Sequence, residues 1–169
     1  MPLAVQTRSG GVFAIDWDAW SPVDTAVLTF IRQEGRLLLI LKKRGLGKGK
    51  INAPGGRIEP GETAEQAAVR ETREEVGLTP LGLRSAGRLE FAFVDGYSLR
   101  CHVFTASGFE GELTETDEAD PFWCPEPEIP YDRMWADDRL WLPRMLEGRP
   151  FDARFVFEDD AMLWHQMCL

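Results

Sequence analysis

The stretch "GRIEPGETAEQAAVRETREEVGL", residues Gly56 to Leu78, decides how the rest of the chain is read. Its middle is the best helix in the sequence. Thr63 and Gln66 have the spacing of a capping box, in which each side chain satisfies the other's backbone N–H. Gly77 sits where helices commonly end in a left-handed residue. At about 100° per residue, Glu71, Glu74 and Glu75 share one side of that helix at i, i+3 and i+4, and Val69, Thr72 and Val76 share the other. Ala64 and Ala67 lie among the acids, small enough to let other backbone come close. Neighbouring carboxylates at this spacing repel by about 0.2–0.5 kcal/mol per pair. Two compensations are open. A hard divalent cation prefers carboxylate oxygens and bridges to phosphates; alternatively the acids form a solvated face relieved by Arg70 and Arg73.

The residues around the helix give it a setting. Gly45 to Pro60 is rich in glycine and proline and reads as loop, preceded by two strands, "TAVLTFI" and "RLLLILKKR", joined by "RQEGR". Downstream, "RLEFAFV" and "LRCHVFTA" pair around "DGYS", and "PFWC" is a further short strand. A second helix starts near Ala136 to Asp138 and ends at Glu147-Gly148, and "ARFVFED" with "MLWHQM" closes the chain as a strand pair. Residues 1–24 read as an N-terminal extension broken by Gly10-Gly11 and Ser21-Pro22, with Trp17 and Trp20 to pack it onto the body. A majority of strands with two helices predicts an α/β layered domain over residues 25–169.

Composition narrows the function classes. The 169 residues suit one domain, and 44% hydrophobic with 28% charged residues is ordinary for a globular protein. The longest apolar run, "LLLIL" at Leu37 to Leu41, is strand-sized, so no membrane partner is expected. The N-terminus lacks the layout of a signal peptide, and the three scattered cysteines, Cys101, Cys124 and Cys168, fit a reducing cytoplasm. A formal charge of -9 argues against a nucleic-acid partner. The charge is uneven, however. Lys42, Lys43, Arg44, Lys48, Lys50 and Arg57 crowd one stretch just before the acidic one. That juxtaposition suits a small anionic ligand delivered with a divalent metal, although a lysine-rich loop standing alone is ordinary solvated surface. A monomer is expected.

From Gly56 the chain runs glycine, five residues, Glu62, seven residues, Arg70-Glu71, one slot and one residue, Glu74-Glu75, one residue, Gly77 and an aliphatic. This resembles the signature of the Nudix hydrolases over its full length, with Thr72 where the family prefers an aliphatic. The resemblance implies an α/β/α sandwich with a mixed central sheet and hydrolysis of a nucleoside diphosphate linked to another group. It implies that Glu71, Glu74 and Glu75 hold Mg²⁺, or Mn²⁺ in its place, with a carbonyl of Gly55 or Gly56 as a further ligand. Glu75 would organise the attacking water, Arg70 would orient the glutamates and Glu62 would brace the loop.

The likeness extends beyond the signature. "LKKRGLGKGKINAPGG", "GRLEFAF", "HVFTA", "TETDEADPFWC" and "IPYDRMWADDRLWLP" resemble the MutT-homologue oxidised purine nucleoside triphosphatases, which cleave 8-oxo-dGTP and in some members 2-hydroxy-dATP to the monophosphate and pyrophosphate. Carried over, Asn52, Phe91, Trp135, Asp137 and Asp138 would form a base pocket. Lys42 would lie beside the nucleotide, and Glu118 would be an additional acid near the metal. Physically, an aromatic face can cover a purine, and two carboxyls sharing a pocket do not both ionise easily. Such a pair offers a donor and acceptors together, although Asp137 or Asp138 also stands where a helix N-cap belongs. Leu46 and Leu99 stand where mammalian-type relatives have a phenylalanine and a methionine, which keeps the pocket apolar but changes its shape, and Val27 stands for a threonine, which would remove a hydrogen bond. Other Nudix substrates, such as ADP-ribose, dinucleoside polyphosphates or an unmodified dNTP, are the nearest rivals. "FAFVDG" lacks the proline or tyrosine that members acting on the first two often carry in that zone. A binding module without catalysis is the more distant rival, opposed by the complete set of glutamates.

Overall fold

A computed structural model describes residues 1–168 of the chain. Its elements are β1 (Leu3–Gln6), β2 (Val12–Ile15), β3 (Asp24–Gln33), β4 (Arg36–Lys42), β5 (Ile51–Asn52), β6 (Gly55–Arg57), α1 (Ala64–Val76), β7 (Leu78–Leu81), β8 (Arg84–Phe93), β9 (Ser98–Ala106), β10 (Gly108–Gly111), β11 (Ala119–Pro125), α2 (Asp138–Leu146), β12 (Phe151–Glu158) and β13 (Ala161–Cys168). The main sheet runs β11-β4-β3-β9-β8-β12-β13. It is mixed, because β3 pairs with β9 and β8 with β12 in parallel while its other pairs are antiparallel. The expected α/β sandwich with a mixed central sheet is the observed architecture.

The strands bury both faces, and their period of two sends alternate residues to opposite layers. Phe30, Leu37 and Leu39 join Trp141, Leu142 and Met145 of α2 on one side. Ile31, Leu38 and Ile40 pack with Val76 of α1 on the other, where Val27 and Phe104 meet Ala67 and Ala68. Helix α1 is capped as its sequence demands. Thr63 accepts from the Gln66 backbone, Gln66 accepts from the Thr63 backbone, and Gly77 closes the helix at φ 78°.

Near the centre the sheet forks. β3 and β4 are paired only at Arg32↔Leu37 and Gln33↔Arg36, beside their turn. Beyond that they splay, and the chain between β4 and α1 fills the gap, with β5 pairing β4 and β6 pairing β3. The expectation that Gly45 to Pro60 is loop throughout is corrected here. The segment contributes two short strands, because the fork leaves backbone donors and acceptors that only a returning chain can satisfy.

Residues 1–20 add a hairpin, β1 with β2, on the face that also carries α1. Val5 and Ile15 pack on Ala92 and Val156, and Trp17 stacks on Trp164 at 6.0 Å. Beneath them Glu90, 3% exposed, receives Arg100 and Arg154, whose guanidiniums lie over Trp20 and Trp17. The buried carboxylate is therefore paired twice, which is what its burial requires.

Candidate active site

The fork is where the chemistry collects. A cleft of about 600 Å³ opens there, reached by the glutamates of α1 from one face and by the start of α2 from the other. Glu71, Glu75 and Glu118 offer carboxylate oxygens that all lie within 4.8 Å of one another. Glu118 comes from the loop before β11, tied by its carbonyl to the Lys43 backbone at 3.0 Å and by its carboxylate to Arg44 at 2.7 Å. Glu74 lies beside this trio rather than in it: it is exposed, and Arg70 Nη1 bridges it at 3.2 Å to Glu71 at 2.8 Å. The i+3 residue turns outward while Glu75, aligned with Ala68 and Thr72 on the buried stripe of α1, turns inward.

Arg70 organises this end. It donates to Glu62 at 2.7 Å, to Glu71 at 2.8 Å and to the Arg57 carbonyl at 3.0 Å. The Arg70 hydrogen bond holds the Glu62 carboxyl down at about 2. Thr72, in the slot the family fills with an aliphatic, is fully buried, and its hydroxyl is satisfied by the Ala68 carbonyl at 2.7 Å. Gly56 lies directly under Glu71: a Cβ there would stand 2.4 Å from the Glu71 carboxyl carbon and displace it. Burial, then the nearby Glu71, pushes the Glu75 carboxyl up to about 8, against the opposing pull of Lys42. Burial also raises Glu71. Three hard oxygen donors so placed, two of them reluctant to ionise together, match the coordination chemistry of a divalent cation.

The other end of the cleft is aromatic and acidic. Asn52, Phe91, Leu99, Trp135, Asp137 and Asp138 line it, with Lys42 and Leu46 towards the basic loop. Trp135 meets Phe93 and Phe157 edge-on at 6.2 and 5.5 Å. Asp137 and Asp138 are 1% and 3% exposed. Asp137 occupies the N-cap position of α2, yet its side chain makes no capping bond; Oδ2 instead accepts from the Trp141 indole at 2.8 Å. The cap role weighed from sequence is thus not realised. Asp137 Oδ1 and Asp138 Oδ2 are buried without a partner. Burial pushes both carboxyls up, Asp138 further because the Asp137 charge adds to it, Asp137 less because the indole stabilises its ionised form.

The cleft thus unites the sequence-derived residues except Arg70 and Glu62, paired with each other outside its lining, and Glu74. His102 and His165 stay outside, and Cys101, Cys124 and Cys168 are unpaired. Asp24, Ala26 and Tyr97 also line the cleft and had no sequence signal, since Asp24 and Tyr97 meet only through the pairing of β3 with β9.

The NUDIX domain matches residues 21–145. The chain belongs to the Nudix family. It is 44% identical to the oxidized purine nucleoside triphosphate hydrolase of Danio rerio, over 83% of this chain and 91% of that protein. It is 39% identical to the Mus musculus protein of the same name with the same coverage. Among solved structures, a MutT protein from Bacillus halodurans superposes with a TM-score of 0.78 at 24% identity, over 86% of this chain and 97% of that one, a likeness of fold.

Proposed function

We propose that this Nudix hydrolase acts on oxidised purine nucleoside triphosphates, 8-oxo-dGTP first and 2-hydroxy-dATP second, releasing pyrophosphate and leaving the monophosphate. One observation carries the reading: the two nearly inaccessible aspartates with unpartnered oxygens share a cleft with the cluster Glu71, Glu75 and Glu118. A buried polar atom without a partner costs about 1–3 kcal/mol, so the pair is retained for a ligand that supplies donors and acceptors. An oxidised guanine edge does so, and Trp135 and Phe91 offer the faces to cover its ring. The high identity to the vertebrate oxidized purine nucleoside triphosphate hydrolases supports the same choice.

The reaction adds one water across the phosphoanhydride between the α and β phosphates. Glu71, Glu75 and Glu118 would hold Mg²⁺ or Mn²⁺, with Gly55 contributing its carbonyl. The bound cation supplies charge neutralisation and a water of lowered pKa. Glu75, buried within that cluster, would orient the attacking water and accept its proton. Arg70 keeps Glu71 in place, and Lys42 offsets phosphate charge. The setting is a reducing cytoplasm, the chain acts as a monomer on a free nucleotide, and its service is to cleanse the nucleotide pool.

Pyrophosphate release with Mg²⁺ from 8-oxo-dGTP, 2-hydroxy-dATP, dGTP and ADP-ribose tests this directly. Preference for either oxidised purine is expected, and preference for ADP-ribose would sink the purine assignment. Asp138→Asn should lower selectivity for the oxidised base over dGTP; unchanged selectivity would remove the aspartates from base recognition.

A further inference from the structure

The base end and the acidic end of the cleft leave one polar pair between them without a task. Asp24 and Tyr97 both line the cleft, and the Tyr97 hydroxyl donates to Asp24 Oδ2 at 2.9 Å. Sheet register fixes where this pair lies. Asp24 stands opposite Leu99, which stands opposite Phe91. Two residues further along β3, Ala26 stands opposite Arg57, the neighbour of Gly56 and hence of the Glu71 carboxylate. A line across the sheet therefore runs from the wall of the base pocket, over Asp24 and Ala26, to the acidic cluster. In a nucleotide the sugar occupies that interval. Ala26, on the same face of β3 as Asp24, presents only a methyl and leaves height for a furanose ring.

We propose that Asp24 is the acceptor for the 3′-hydroxyl of the bound nucleotide's sugar, with Tyr97 as the positioning residue that holds its carboxylate. The assignment rests on the nucleotide reading given above. The chemistry suits a hydroxyl. Tyr97 at 2.9 Å and the Arg57 guanidinium at 3.7 Å both engage Oδ2, so Oδ1 is left to receive an incoming donor. The Asp24 side chain is 28% exposed, open enough to be reached and covered enough for the bond to count. Burial and the Asp24 charge push the Tyr97 phenol up to about 12, so it stays a donor throughout the neutral range. A hydroxyl donating to a carboxylate makes a charge-assisted bond, about twice as strong as a neutral one.

The test is binding without metal, so it does not depend on turnover. Dissociation constants are measured by calorimetry for the 5′-monophosphates of 2′-deoxy- and 2′,3′-dideoxyguanosine, each with the ordinary and the 8-oxo base. Wild type should favour the 3′-hydroxyl by about tenfold or more, the range of a hydrogen bond to a charged group. Asp24→Ala should bind both sugars equally, at the affinity wild type shows for the dideoxy ligand. Tyr97→Phe should retain part of the preference. A wild type indifferent to the 3′-hydroxyl, or an Asp24→Ala variant that weakens both sugars alike, overturns the assignment. A wrong choice of base would shift affinity between the two bases and leave the 3′ ratio intact. Binding of none of the four would overturn the nucleotide reading and this assignment together.

Discussion

Replacing Glu75 by glutamine should stabilise the metal-free protein while nearly abolishing hydrolysis. The carboxyl is 5% exposed and titrates near 8 in the folded chain, against an ordinary value of 4.5. A carboxyl raised in this way opposes folding when it ionises. The penalty is absent below the unfolded value near 4.5, grows as pH rises through the interval, and is complete above about 8. At about 1.4 kcal/mol per unit of separation, it reaches at most about 3 kcal/mol at pH 7. For a chain of this size that is a Tm difference of about 5 to 10 °C. Thermal denaturation in a chelating buffer, scanned from pH 4 to 8, is the assay. The variant should match wild type at the acid end and surpass it progressively towards pH 8. Added Mg²⁺ should then raise wild type far more than the variant, since a ligand that binds only the folded form stabilises it. A variant no more stable than wild type at pH 7, or an advantage that does not shrink on acidification, would refute the reasoning.

Glu74→Gln is expected to cost only a few-fold in kcat, against about 10²-fold or more for Glu75→Gln, because Glu74 stands outside the cluster; steady-state kinetics on the preferred nucleotide compare them. Gly56→Ala forces the Glu71 carboxylate to move and should weaken Mn²⁺ binding, read by paramagnetic titration, by about tenfold, as loss of a ligand's support does. Lys50 lies 5.3 Å over the Trp135 ring and 3.2 Å from Asp160, but not in the cleft wall. Lys50→Met should therefore raise KM a few-fold with kcat nearly unchanged, the scale of one cation–π contact, and Lys50→Arg should restore it.

Local signals carried much of the site. The capping box and Gly77 bounded α1 because their chemistry lies within a few residues, and the buried stripe was readable in principle: Ala68, Thr72 and Glu75 recur at helical spacing, with an acid where an apolar residue belongs. Periodicity grouped Glu74 with Glu75 because it resolves the side of a helix, not which of two neighbours turns inward. Glu118 lies on a loop without period, so only the resemblance indicated it. β5 and β6 escaped because strands of two and three residues have no pattern of their own; the fork between β3 and β4 creates them. Asp24 and Tyr97, 73 residues apart, are joined by register alone.

The forked sheet also bears on how such a protein can change over generations. The acidic cluster is built mainly by α1 and its flanking loops, while the opposite wall comes from β8, β9 and the turn into α2. The two halves meet where the backbone parts between β3 and β4. Substitutions such as Leu46 and Leu99, which line the cleft away from α1, can then alter which molecule is accepted while the hydrolytic half stays intact. One scaffold can in this way serve many substrates, its chemistry inherited and its taste acquired.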